Sequence, residues 1–262
     1  MEETIIFGRK PILDALQSDR RFDKIMVLKS SQSPELEEIS KLARQKKVVL
    51  QAVPKEKIED VLYKNRIREA NHQGIIGFMP LIDYCTIDDI IQYAHDRKED
   101  PLIIVLDGIT DVHNLGAIAR SAESMGAHGI VMQQTGSAQI NAVALKVSAG
   151  ALMNIPVCRE QSILTVIKYI KANGIRVVGA DLTNAVPVAQ EDLNQPIAIV
   201  MGAEGEGIAP QIKKYLDGFV AIPIKGKTES LNVSVSAGII LYEAAKQRSW
   251  GLRVWELSGI GG

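Results

Sequence analysis

Three polar clusters carry residue types from which a site could be built. The first is Gly202-Ala203-Glu204-Gly205-Glu206-Gly207, where an apolar run over 197–201 stops at a glycine-rich turn bearing two carboxylates. The second follows another apolar run, 219–222; it reads Lys225-Gly226-Lys227-Thr228 and then Ser230-Leu231-Asn232-Val233-Ser234 at a helix start. The third lies earlier, after the apolar run 102–106, and places Asn114 and Arg120 six residues apart where a helix begins. Alone, that third cluster reads as a helix N-terminus capped by Asn114 beside a surface arginine. Glycines at 202, 205 and 207 let backbone approach a ligand closely, as phosphate loops do, whereas Glu204 and Glu206 repel a pyrophosphate. The loop therefore suits a cationic or neutral cofactor. Gly226-Lys227-Thr228 imitates the end of a P-loop, but that motif needs glycine where Ala221 stands, so an NTPase is rejected. No Gly-x-Gly-x-x-Gly follows an early strand, which removes a Rossmann-type dehydrogenase.

In open α/β sheets, ligands settle where loops leave the carboxyl ends of strands, so the surrounding elements must deliver these clusters to one edge. Hydrophobic patterning predicts strands over 102–106, 129–132, 155–157, 175–180, 197–201 and 219–222, with helices between most of them. Such apolar strands suit a parallel sheet covered on both faces. A closing helix over 231–247 carries Leu231, Val235, Ile239 and Tyr242 near one face, while Ser234, Ala237 and Gly238 leave another side thin. Upstream, helices over 9–17, 33–43 and 54–62 alternate with strands over 24–28, 48–53 and 74–79. Residues 1–80 are thus expected to form a small α/β sandwich, whose most polar loop, 65–73, holds Arg66, Arg68, Asn71, His72 and Gln73. Between the two domains, 81–101 is acidic, contains a helix over 87–94 and closes on Asp100-Pro101, so it reads as the linker to a larger domain over 102–262.

The chain of 262 residues is 46% hydrophobic, as a globular protein is, and its net charge of -1 conceals a partition. Residues 1–80 hold 15 Lys and Arg against 12 Asp and Glu, 81–101 hold 2 against 6, and 102–262 hold 13 of each. The basic surplus lies in the first domain and favours a nucleic-acid partner there over an acidic one. No apolar run approaches the roughly 18 residues of a membrane span, and the early charges Glu2 and Glu3 do not suit a signal peptide, so a cytoplasmic location is expected. Cys85 and Cys158 lack metal-ligand spacing and a nearby histidine pair; neither a metal site nor a disulfide framework is expected.

Taken together, Asn114-Leu115-Gly116 with Arg120, then Gly202 to Ile208, then Ser230-Leu231-Asn232-Val233-Ser234-Val235-Ser236, in that order on strand-to-helix turns, resemble the three motifs of the SpoU (TrmH) family of RNA ribose 2′-O-methyltransferases. Val112 stands where the family commonly has proline, Ser121 where threonine is usual and Ala203 where serine is usual; no required polar group is lost. The resemblance extends by layout to residues 4–80, because Gly8-Arg9-Lys10-Pro11 and His72-Gln73-Gly74 look like the ends of a substrate-binding domain of ribosomal-protein L30 type. It implies an α/β fold with a parallel sheet threaded through a deep trefoil knot, a feature rare enough that periodicity alone would exclude it. It also implies S-adenosylmethionine as cofactor, held near Ala180, Gly202, Ile222 and Leu231. The catalytic set would be Asn114, Arg120, Glu204, Ser230 and Asn232. RNA contacts would fall on Arg9, Lys10, Arg66 and Arg68, and two copies would pair through their closing helices. The substrate implied is a guanosine ribose in 23S ribosomal RNA, with tRNA as the alternative.

Overall fold

A computed structural model describes residues 5–18, 20–29, 33–65, 67, 70–228 and 230–248. The chain divides into two compact units, one from residue 1 to 83 with a short return at 140–142, the other comprising the rest.

The smaller unit contains β1 (Ile5–Phe7), α1 (Arg9–Gln17), β2 (Lys24–Leu28), α2 (Pro34–Gln45), β3 (Val49–Val53), α3 (Lys55–Lys64) and β4 (Ile75–Phe78). Its sheet runs β1-β4-β2-β3, with β2 and β3 parallel and the other pairs antiparallel. Adjacent residues on a strand point to opposite faces. Ile25 and Ile75 accordingly pack with Ile12, Leu16 and Ile39 on one side, while Met26 and Ile76 pack with Ile58 and Leu62 on the other. Ser33 starts α2 by accepting from the Leu36 N–H at 3.3 Å, with proline in the first turn. The edge strand β1, only three residues long, is absent from the sequence-based expectation.

The larger unit follows with β5 (Tyr84–Cys85), α4 (Ile87–Asp96), β6 (Leu102–Asp107), α5 (Val112–Ser124), β7 (Gly129–Gln133), α6 (Ala142–Val147), β8 (Val157–Glu160), α7 (Ile163–Ala172), β9 (Arg176–Ala180), β10 (Val186–Pro187), β11 (Ile197–Gly202), α8 (Pro210–Lys213), β12 (Gly218–Ala221) and α9 (Val233–Gln247). The sheet order is β10-β12-β9-β11-β6-β7-β8-β5, and every pairing is parallel. Ile103, Val105, Ala198 and Val200 face a core shared with α4, α7 and α8. Their neighbours Ile104, Leu106, Ile199 and Met201 are buried as well, which is why these strands read as continuous apolar runs.

One expectation needs correction. The acidic segment 81–101 is no free linker over most of its length. Tyr84 and Cys85 pair with β8, and α4, started by a Thr86–Asp89 capping box, buries Ile87, Ile90, Ile91 and Ala94. The charge shift marks the outer face of the expected helix rather than a connection between domains. On α9, Val235, Ile239 and Tyr242 share a face, as the patterning predicts, and that face is exposed, whereas Val233, Ala237, Ile240, Leu241, Ala244 and Ala245 are buried. Small residues point inward because α5 packs closely along α9.

Pairing β5 with β8 also brings Cys85 opposite Cys158 in register. The two are not joined as a disulfide, and burial pushes the Cys158 thiol up to about 12, which makes it inert.

Candidate active site

Strand order reverses between β6 and β11, since β7 and β8 continue to one side of β6 while β9, β11 and β12 lie to the other. The register pairs Gly202 with Asp107, so the loops after these two strands leave the sheet side by side, where α/β proteins hold ligands. Beside them opens a cavity of about 610 Å³ lined by the ends of β9, β11 and β12 and the start of α9.

The glycine-rich loop is a closed clasp. Ala203 and Gly207 exchange two backbone hydrogen bonds, at 3.2 and 2.8 Å, and Gly205 and Gly207 adopt φ of 81° and 69° to permit the turn. Gly202 has a different reason to be glycine: a Cβ there would stand 2.2 Å from the carbonyl carbon of Gly207 and 2.3 Å from the nitrogen of Ile208. At the far end of the loop the Ala209 N–H donates to Asp107 Oδ2 at 2.7 Å. Burial pushes the Asp107 carboxyl up, and the Ala209 N–H pulls it partly back.

Asn232 joins the motifs. Its Oδ1 accepts from the Ser234 N–H at 2.9 Å, the Ser234 hydroxyl at 2.6 Å and the Val235 N–H at 3.3 Å, capping α9. Its Nδ2 donates to Asn114 Oδ1 at 3.0 Å and to Glu204 Oε1. The residue that begins α9 is therefore tied to the first turn of α5 and to the clasp. Asn114 is buried and does not cap α5; Asp111 does, accepting from the His113 N–H at 2.6 Å.

Ala180, Gly202, Glu204, Ile222, Ser230, Leu231 and Asn232 all line the cavity. Arg120 does not line it; it is exposed on α5, without an ion pair or hydrogen bond among the described residues, so no bridge to Glu204 fixes it. In the smaller unit the Arg9 N–H donates to Gln73 Oε1 at 3.0 Å, Arg9 Nε donates to the Gln73 carbonyl at 3.3 Å, and Glu35 lies 3.7 Å away. The side chain of Gln73 thus replaces the cap that Gly8 cannot supply to α1. Lys10 is exposed, and Arg66 and Arg68 lie outside the described residues.

Two residues were missed from the sequence. Asp107 anchors the clasp, and Asp181 lines the cavity, pairs with Lys213 and accepts from the Thr183 N–H at 3.0 Å and hydroxyl at 2.7 Å. Burial opposes the Asp181 charge, but the bonds from Lys213 and Thr183 outweigh it and hold the carboxyl below its usual range. Both stand where an apolar strand ends in an aspartate, a legible signal.

Residues 101–242 match the model of the SpoU rRNA methylase family, and residues 5–84 match that of the RNA 2′-O ribose methyltransferase substrate-binding domain. The chain belongs to the SpoU family. A Bacillus subtilis relative, YacO, named for the TrmH family of tRNA/rRNA methyltransferases, is 31% identical over 93% of this chain and 96% of its own length. A Staphylococcus saprophyticus relative with the same family name is 32% identical, over 95% and 98%. Among solved structures, the SpoU methyltransferase AviRb of Streptomyces viridochromogenes, determined with its cofactor AdoMet, is 25% identical with a TM-score of 0.59, covering 94% of this chain and 90% of that one. Membership makes the chain an S-adenosylmethionine-dependent RNA methyltransferase. The cavity fits that cofactor: its volume suits a ligand of this size, Leu182, Ile222, Leu231 and Ile240 offer apolar walls, and Glu204 and Glu206 favour a cation over a phosphate.

Proposed function

We propose that this enzyme methylates the 2′-oxygen of a guanosine ribose in 23S ribosomal RNA. The carrying observation is the Asn232 junction, which binds Asn114 and Glu204 at the edge of a cavity suited to a sulfonium cofactor. S-adenosylmethionine supplies an electrophilic methyl group when bound. Ala180, Gly202, Ile222 and Leu231 hold it through close-packed walls, and Ser230 and Asn232 fix the loop at its methionine end. Asn114 and Glu204 orient the ribose through the shared network. Arg120 stabilises the negative charge growing on the ribose oxygen and binds the adjacent phosphate; a guanidinium with a pKa above about 12 is a poor base.

The smaller unit, residues 1–80, reads the RNA, with Arg9, Lys10, Arg66 and Arg68 as its contacts to loop phosphates. The exposed Val235, Ile239 and Tyr242 of α9 support pairing of two copies through the catalytic domain, residues 102–262. Insertion of the late strand β12 between β10 and β9 is consistent with a knotted path. No described helix is long and apolar enough to cross a membrane, in keeping with a cytoplasmic site of action. The test is mapping of ribose methylation on total RNA from cells with and without the gene: a single 23S guanosine should lose its methyl group, whereas a tRNA site would move the substrate to the alternative class.

A further inference from the structure

The catalytic unit presents an electrostatic difficulty to its own substrate. Glu204 and Glu206 are exposed at the cavity, and Asp181 lines it, although Lys213 neutralises that carboxylate. An RNA target brings a phosphate on either side of the ribose to be modified. Like charges so close to one mouth repel unless cations stand between them.

The loop joining β12 to α9 carries such cations. Ile222 and Ile224 line the cavity, as do Ser230 and Leu231, and between these two wall segments Lys225 and Lys227 are exposed. Chain continuity therefore keeps both lysines at the rim: Lys225 directly follows one wall residue and Lys227 stands three positions before another. Neither forms an ion pair or hydrogen bond among the described residues. Gly226 separates them, and nothing lies within 4 Å of where its Cβ would be, so the loop is open on that side. An ammonium group on a flexible four-carbon stem is a strong, adaptable phosphate contact. We propose that Lys225 and Lys227 grip the phosphates flanking the target ribose, giving the catalytic unit an RNA contact of its own beside the one assigned to the smaller unit. The inference rests on the reading of RNA as substrate and adds where that substrate is held.

The experiment compares the full-length protein with its Lys225→Gln/Lys227→Gln double variant. Binding to a 23S ribosomal RNA fragment is measured across a salt series, and S-adenosylmethionine affinity is measured by calorimetry. Each lost contact to a single strand flattens the plot of log affinity against log salt by about 0.7, so the slope should fall by about 1.4. The KM for RNA should rise about tenfold or more while cofactor affinity stays at the wild-type value. An unchanged slope and KM would overturn the proposal, as would a loss confined to cofactor affinity. The binding arm needs no turnover: failure of the wild-type protein to methylate the RNA would count against the proposed reaction, while the slope comparison would still decide the role of the two lysines.

Discussion

The side-chain amide of Asn232 donates to the side-chain carbonyl of Asn114 at 3.0 Å, joining residues 118 positions apart. Because its other amide hydrogen goes to Glu204 and its oxygen caps α9, Asn232 has no hydrogen-bonding capacity left over. Two substitutions separate these duties. Asn232→Ala removes cap and junction together, so it should cost about 1 kcal/mol of stability as well as activity. Asn232→Asp keeps an oxygen for the cap but sets a carboxylate against Glu204. It should melt close to the wild type and yet fail to methylate; an active Asn232→Asp enzyme would dismiss the junction.

The clasp gives a paired test of two glycines. Gly202→Ala places a Cβ against the backbone of Gly207 and Ile208, so the loop must open and S-adenosylmethionine affinity should fall at least tenfold by calorimetry. Gly205→Ala meets nothing within 4 Å and carries only the strain of a positive φ, about 1–2 kcal/mol. Its cofactor affinity should drop far less. Equal losses would mean that loop closure does not set the cofactor site.

Stability of the larger unit should depend on Arg248. Buried at the end of α9, it donates to the carbonyls of Leu193 (2.8 Å), Gln195 (2.7 Å), Pro101 (3.2 Å) and Asp100. Arg248→Met fills the space and leaves those carbonyls without this donor, so denaturant unfolding should show a loss of about 3 kcal/mol. A change below about 0.5 kcal/mol would show that the helix end is held by apolar packing alone.

A pH dependence follows from His128. The Leu102 N–H donates to its Nδ1 at 3.0 Å, so the ring proton sits on Nε2, 2.9 Å from Glu99 Oε2. Burial depresses the histidine pKa despite the raising effect of Glu99. Burial works against the Glu99 charge, but hydrogen bonds from Arg97 and His128 outweigh it and hold the carboxyl low. With the folded pKa of His128 below its ordinary value of about 6.5, the neutral form is the one the fold favours. Its contribution is complete above about pH 6.5 and is lost as pH falls through the lower folded value. Unfolding free energies from pH 8 to 5 should therefore decline more steeply for the wild type than for His128→Gln. Parallel curves would refute the assignment.

The sequence revealed the site better than the framework around it. Glycines between carboxylates, and Ser-Leu-Asn at a helix start, are local signals, and the structure brings Glu204 and Asn232 into contact. What stayed hidden depended on distant partners. Nothing near Asn114 says that its amide meets a residue 118 positions away; alone its cluster reads as a helix cap, work that Asp111 does. Two-residue strands such as β5 and β10 are too short to show alternation, and α4, expected over 87–94, gives no local sign that it packs into the larger unit. On α9 the apolar stripe Val235, Ile239 and Tyr242 lies outward because the inward face needs small residues against α5. Periodicity finds a stripe but not what covers it.

The central claim is transfer of a methyl group to a ribose oxygen with Arg120 stabilising the developing charge. It is tested most directly by incubating purified protein with S-adenosylmethionine and unmodified 23S ribosomal RNA, then analysing the nucleosides by mass spectrometry. The account predicts 2′-O-methylguanosine as the product, and for Arg120→Ala a fall in turnover of about 10²–10³ with cofactor binding intact. A methyl group on a base, or full turnover by Arg120→Ala, would contradict it.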